Sequence, residues 1–288
     1  ECGGLARAVL LVAVALFIPQ SAGQQEQCPR MSPAAETVVL LSRKGPELTF
    51  TELGSSGEPT GLRTTQRFHG TALSGVLVDA QAQWLYLLQA APQVSVHKFQ
   101  LAGREVLPVS NATLRTATAD KVLNVWNAVV WESRGAILAM SPSASGFNTS
   151  VVMVDPESGM VAEQLNVHGV PIRGIHAFDR RRERYYFVVS RAEERELLMF
   201  LAATGEYKVW SLGASDADLV GLHFDAGQCR LLGVYLRAPG VLSVRLVDIS
   251  EDAMLDTTRE LASLYPAARE SARSYELVGM TALVGGEE

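Results

Sequence analysis

Positive charge is in short supply in this sequence: 25 Lys and Arg stand against 31 Asp and Glu, a formal net charge of −6. A broad cationic surface for a phosphate backbone is therefore not expected, and nucleic acid drops out as a partner. Long apolar runs are missing as well. The run Ala8–Ile18 holds eleven residues, too few to cross a ~30 Å hydrocarbon core at ~1.5 Å per residue, so no membrane span is expected in the mature chain. Helix-length amphipathic stretches are nearly absent, which argues against helical bundles and layered α/β folds. Local catalytic signatures do not occur: there is no Gly-x-Ser-x-Gly elbow, no Gly-Lys-Ser/Thr phosphate loop, no Cys-x-x-Cys and no His-Glu-x-x-His. An enzyme whose site is assembled from several repeats would carry none of these, so catalysis stays open. No metal-ligand set is indicated, and the sequence leaves any cofactor undetermined.

Cysteine is scarce, and its placement depends on the first residues. Arg7 precedes the apolar run, and PQSAG follows it with Ser21 and Gly23 at the −3 and −1 places. This pattern predicts a secretory signal over residues 1–23, cleaved before Gln24, and hence a secreted, extracellular protein. Of the three cysteines, Cys2 falls in that segment, leaving Cys28 and Cys229. In an oxidising compartment these two suggest one disulfide closing a long loop; two unpaired thiols are the alternative. Asn111-Ala-Thr and Asn148-Thr-Ser are acceptor tripeptides for N-glycosylation on the same export route.

With 48% apolar and 19% charged residues, the remainder can bury a sizeable core, and it repeats. The stretch VVMVDPESGMVAEQLNV, residues 151–167, is an apolar run, a tight turn and a second half-apolar run. The same form returns at 47–65, 94–109, 197–212 and 242–261. These are hairpins, with β-branched and aromatic residues flanking Gly, Ser and Asp turns. Ahead of the later copies stands a second kind of hairpin, at 74–88, 127–140, 174–189 and 221–236. In each, the first strand ends in an acid: Asp79, Glu132, Asp179 or Asp225, spaced by 53, 47 and 46 residues.

Four strands recurring at nearly fifty residues predict the blades of a β-propeller, an all-β fold in which each sheet is shielded only by its neighbours. The domain expected is residues 36–284, preceded by a lead segment (24–35) and followed by a short tail (285–288). At its front, TVVLLSR (37–43) and the hairpin 47–65 supply three strands; at its back, YELVGMTALV (275–284) supplies one. The expectation is five four-stranded blades closed by strands from both ends, which removes free sheet edges. The alternative is that 275–284 opens a sixth blade. The segment LDTTRELASL is expected as an outer strand rather than a short helix.

The pattern of an apolar strand running into Asp-x-x-x-Gly, as in VVMVDPESGMVAEQLNV, resembles the YVTN-type repeat of β-propellers over about residues 36–284. GLHFDAGQCRLLGVY resembles the YWTD-type pattern of lipoprotein-receptor propellers, without the Tyr-Trp-Thr-Asp signature itself. Olfactomedin-like domains are a weaker likeness; their five-bladed plan with one long-range disulfide would suit Cys28 and Cys229. These resemblances imply architecture and leave activity undetermined.

The recurrent acids are expected to cap their own turns through nearby backbone amides rather than to converge on a metal. The inter-blade loops, expected near 66–73, 110–125, 167–173 and 213–219, should line one face with the axial channel. Among five histidines, His176 and His223 each follow a Gly by two residues on adjacent inner strands and could face that channel. Arg173, beside His176, and Trp126-Asn127 at the neighbouring channel entry complete the ligand candidates. Packing is the competing role for both histidines and for Trp126. The functional expectation is a monomeric secreted module that binds a protein or glycan ligand without catalysis. The alternative is a hydrolase or lyase-like propeller holding a small polar substrate near Arg173, His176 and His223.

Overall fold

The computed structural model describes residues 36–44, 47–53, 59–67, 72–79, 82–91, 93–102, 105–117, 124–143, 145–192, 194–212, 218–225, 230–237, 241–249, 254–255, 260–264 and 276–284. Nearly all of them are in strands. The chain begins with β1 (Glu36–Lys44), β2 (Glu47–Leu53) and β3 (Pro59–Arg67), then β4 (Ala72–Asp79), β5 (Trp84–Ala91), β6 (Ser95–Ala102) and β7 (Glu105–Thr113). It continues with β8 (Arg115–Thr116), β9 (Trp126–Trp131), a 3-10 turn at Glu132–Arg134, β10 (Ala136–Pro142), β11 (Asn148–Val154) and β12 (Met160–His168). Then come β13 (Val170–Asp179), β14 (Arg184–Arg191), β15 (Glu194–Leu201) and β16 (Tyr207–Ser211). The last strands are β17 (Asp218–Asp225), β18 (Arg230–Arg237), β19 (Val241–Ile249), β20 (Met254–Leu255), β21 (Glu260–Leu264) and β22 (Glu276–Val284).

Among the described residues these strands form five sheets. In chain order they are β22-β1-β2-β3; β4-β5-β6-β7; β8-β12-β11-β10-β9; β13-β14-β15-β16; and β17-β18-β19-β20, with β21 also paired to β19. β22 lies antiparallel to β1, Leu40 opposite Met280. The leading strands follow one another: β22 packs on β4, β4 on β9, β9 on β13 and β13 on β17. This is the stacking of an all-β propeller.

Both faces of a middle strand are buried, which is why the sequence reads as continuous apolar runs rather than simple alternation. In β14, Tyr185, Phe187 and Val189 enter a core shared with the β9–β12 sheet. Their neighbours Tyr186 and Val188 enter a second core shared with the β17–β19 sheet. β10 behaves likewise: Leu138 and Met140 pack toward β14, while Ile137 and Ala139 pack toward β4–β7. A fully buried side chain of this kind contributes about 1.5–3 kcal/mol, so sheet-to-sheet packing stabilises each sheet.

Several expected loops are strand instead. Only Gly169 separates β12 from β13, where a loop over 167–173 was expected. Asn111 lies inside β7, within the loop expected over 110–125. The cause is exposure: β7 and β12 are outer strands with mostly exposed residues, and a polar outer strand looks like a loop in sequence. LDTTRELASL contributes β20 and β21, the outer-strand expectation.

A clamped arginine at the junction of two sheets

The first strand of the fourth sheet is distorted where it meets β9. Pro171 faces Val189 and His176 faces Phe187, so the four residues 172–175 stand opposite Val188 alone. Gly174 supplies the bend with φ +78°, a left-handed conformation open to glycine without a Cβ penalty. Asn127 of β9 holds this bulge at both ends. Its Nδ2 donates to the Ile172 carbonyl at 2.8 Å, and its Oδ1 accepts from the Gly174 N–H at 2.8 Å. Asn127 itself has φ +50°, which asparagine tolerates better than most side chains. Its own carbonyl accepts the buried Tyr185 hydroxyl, which burial keeps protonated by pushing its pKa well up.

The residue enclosed by the clamp is Arg173, and it is exposed. Its guanidinium lies 4.0 Å over the Trp126 ring, and the Trp126 Nε1–H donates to Asn124 Oδ1 at 2.8 Å. A guanidinium stacked on indole is held by cation–π attraction while its N–H fork stays open at the edge.

His176 ends the bulge. Its Nδ1 is shut off from solvent and makes no hydrogen bond among the described residues, and its ring meets Tyr185 edge-on at 6.4 Å. Burial lowers its pKa to about 4, partly opposed by a backbone hydrogen bond with Ala128. At neutral pH it is therefore an uncharged imidazole. His223 of β17, opposite Leu232 of β18, is exposed. The structure thus joins Arg173, Trp126 and Asn127 directly and connects His176 to them through Tyr185. Sequence reasoning missed Tyr185, Asn124 and Gly174; the Arg-Gly pair just after Pro171 was the available signal for a strand bulge.

The recurrent acids divide. Asp79 Oδ1 accepts the Ala82 N–H at 2.9 Å, and Asp179 Oδ1 accepts those of Arg181 and Arg182 at 3.1 and 3.3 Å, the turn-capping geometry. Glu132 instead reaches the next sheet and pairs with Arg180 at 2.6 Å. Among the described residues no three His, Cys, Asp or Glu side chains gather as they would for a metal. Asn111 is exposed, and the half-buried Asn148 places Oδ1 3.0 Å from His168 Nδ1. Cys28, Cys229 and the segment 1–23 lie outside the described residues.

No family model matches the chain, and no curated protein matches it. Solved structures do. TolB from Acinetobacter baumannii is similar with a TM-score of 0.54 and 12% identity over 76% of this chain, which spans about half, 52%, of that protein. A puromycin hydrolase mutant complexed with PGG gives 0.53 and 12% identity, covering 81% of this chain and 37% of its own. A protein of Agrobacterium tumefaciens assigned as TolB gives 0.52 and 12% identity, with 80% and 90% covered. Likeness at this identity establishes the fold: the chain is a β-propeller.

Proposed function

We propose that this chain is a secreted binding or scaffolding propeller of five blades, with β22 completing the first blade beside β1, and that it recognises a protein or glycan ligand without catalysis. The observation that carries the reading is the Asn127 clamp. It fixes the bulge on both sides of Arg173, so the guanidinium is positioned on Trp126 before a ligand arrives and little ordering entropy remains to be lost. An exposed Arg on an aromatic platform suits either a carboxylate-bearing peptide or an acidic sugar. Secretion, glycans at Asn111 and Asn148, and a Cys28–Cys229 bridge belong to this proposal; non-reducing peptide mapping of the secreted protein tests them together.

The second reading, a hydrolase or lyase-like enzyme, draws on the neutral, enclosed imidazole of His176, a group able to accept a proton. Two variants separate the readings. The binding module predicts that Arg173→Ala abolishes retention on immobilised extracellular proteins or a glycan array, with His176→Ala nearly neutral. The enzyme predicts turnover of ester, amide or glycoside reporter substrates that His176→Ala removes from a folded protein. Retention unaffected by Arg173→Ala would refute the first reading.

A further inference from the structure

Two large apolar side chains stand exposed at the end of the sheets that carries Arg173. Phe147 is 68% exposed and Val170 is 40% exposed. Trp126 lies opposite Met140, Thr149 opposite Pro142 and Val170 opposite Ser190, so the starts of β9, β11 and β13 share that end. Gly169 ties the two apolar residues together. Its N–H donates to the Phe147 carbonyl at 2.8 Å, and its own carbonyl accepts the Thr149 hydroxyl at 2.7 Å. The turn that presents Phe147 is itself held, the Ser143 N–H donating to the Asn148 carbonyl at 2.8 Å. From Val170 to Arg173, along β13, the chain advances at most ~10 Å at about 3.3 Å per residue.

The cations at this end differ. Arg191 is paired with Glu196 at 3.1 Å, whereas Arg173 meets no acid among the described residues and rests on Trp126. In a chain of net charge −6, such a guanidinium is complementary to an anion from outside. The groups that could receive sugar hydroxyls are already committed. Asn127 uses both ends of its amide in the clamp, Asn124 Oδ1 takes the Trp126 Nε1–H, and Asn148 Oδ1 faces His168 Nδ1 at 3.0 Å. A hydroxyl desolvated here without a partner would weaken binding. An apolar side chain laid against Phe147 and Val170 would strengthen it.

We propose that the ligand of the Arg173 site is a protein segment that sets a carboxylate on Arg173 and a large apolar side chain on Phe147 and Val170, the two separated by two or three residues of extended chain. This rests on the binding role proposed above for Arg173 and adds the chemistry and spacing of the partner. An extended peptide covers ~10 Å in about three residues. Its carboxylate meets the open edge of the guanidinium, two N–H groups to two oxygens. The apolar contact selects among acidic segments and disfavours acidic sugars.

The test is an array of acetylated polyserine octapeptides carrying one leucine and one glutamate at each spacing and in either order. Leucine-only and glutamate-only peptides and sialylated glycans stand beside them. Retention is measured for the secreted chain and for Ser150→Ala, which removes the acceptor tripeptide at Asn148 beside Phe147, and the stronger is scored. Peptides with spacings of two or three should be retained best, and loss of either residue should lower retention at least about fivefold. Phe147→Ser, a change at an exposed position, should lower their retention about fivefold and leave the glutamate-only peptides unchanged. Arg173→Ala should lower retention of every acidic peptide at least about tenfold. Retention that survives Arg173→Ala overturns the site itself. Arg173-dependent retention that is indifferent to leucine or to Phe147→Ser overturns this inference alone, as does Arg173-dependent retention of the glycans in place of the peptides.

Discussion

The Thr113 carbonyl oxygen occupies the space beside Gly159 so closely that a Cβ on Gly159 would lie 2.2 Å from it. The two residues belong to different sheets, β7 ending at Thr113 and Gly159 turning β11 into β12. A hairpin turn is thereby pressed against the neighbouring sheet, and nearby the Lys98 ammonium of β6 pairs with Glu157 of the same turn while lying 4.0 Å over Trp84.

Gly159 and Gly205 are both hairpin-turn glycines with positive φ, +72° and +80°, but a Cβ at Gly205 would meet nothing within 4 Å. Gly205→Ala should cost only the left-handed backbone penalty, about 1–2 kcal/mol. Gly159→Ala adds a backbone collision and should cost more than ~3 kcal/mol. Urea denaturation of both variants checks this, and equal costs would contradict the packing described.

Asn127→Ala removes the partners of the Ile172 carbonyl and the Gly174 N–H together. Each lost bond to a part-buried backbone group costs about 1–3 kcal/mol, so a loss of about 2–6 kcal/mol is expected. Tyr185→Phe, which removes only the hydroxyl that meets the Asn127 carbonyl, should cost about 1–2 kcal/mol. A double-mutant cycle should show coupling, because both changes act on one network; strict additivity would place them in separate ones.

His176 links stability to pH. Its folded pKa is about 4, below the ~6.5 of an unfolded histidine, so the unfolded chain binds this proton more tightly. Its contribution is fully present above ~6.5 and is lost as pH falls toward about 4, amounting to at most ~3 kcal/mol over that window. His176→Leu should flatten the fall in stability between those limits. His97, also lowered by burial, is present in both proteins, so the difference isolates His176. Parallel profiles would show that the imidazole does not titrate as described.

Glu132 behaves in the opposite sense. Desolvation raises its pKa, the Arg180 charge holds it down, and Asp79 adds to the rise. A raised carboxyl favours the fold below its unfolded pKa and loses that contribution as pH rises through the folded value. Arg180→Met should therefore push Glu132 further up and cost up to about 1 kcal/mol at pH 7, the modest size expected for a partly exposed pair. Near pH 4 the cost should shrink. NMR titration of the Glu132 carboxyl checks the direction; a pKa that falls in the variant would contradict the pairing.

What the sequence determined by itself was local. Apolar runs broken by Asp, Gly and Ser turns are enough to form hairpins, since strand propensity and turn chemistry act over a few residues, and their recurrence implied sheets that must shield one another. The caps at Asp79 and Asp179 were legible for the same reason. Tertiary structure decided everything that depends on which turns and strands become neighbours. It made Gly159 intolerant and left Gly205 free, sent Glu132 to Arg180, and turned Asn127 from an entry-strand asparagine into the clamp around Arg173. Those distinctions arise from contacts between residues 45 to 48 positions apart in the sequence, such as Asn127 with Ile172 and Gly174 and Glu132 with Arg180. No local pattern encodes such distances; packing between sheets does.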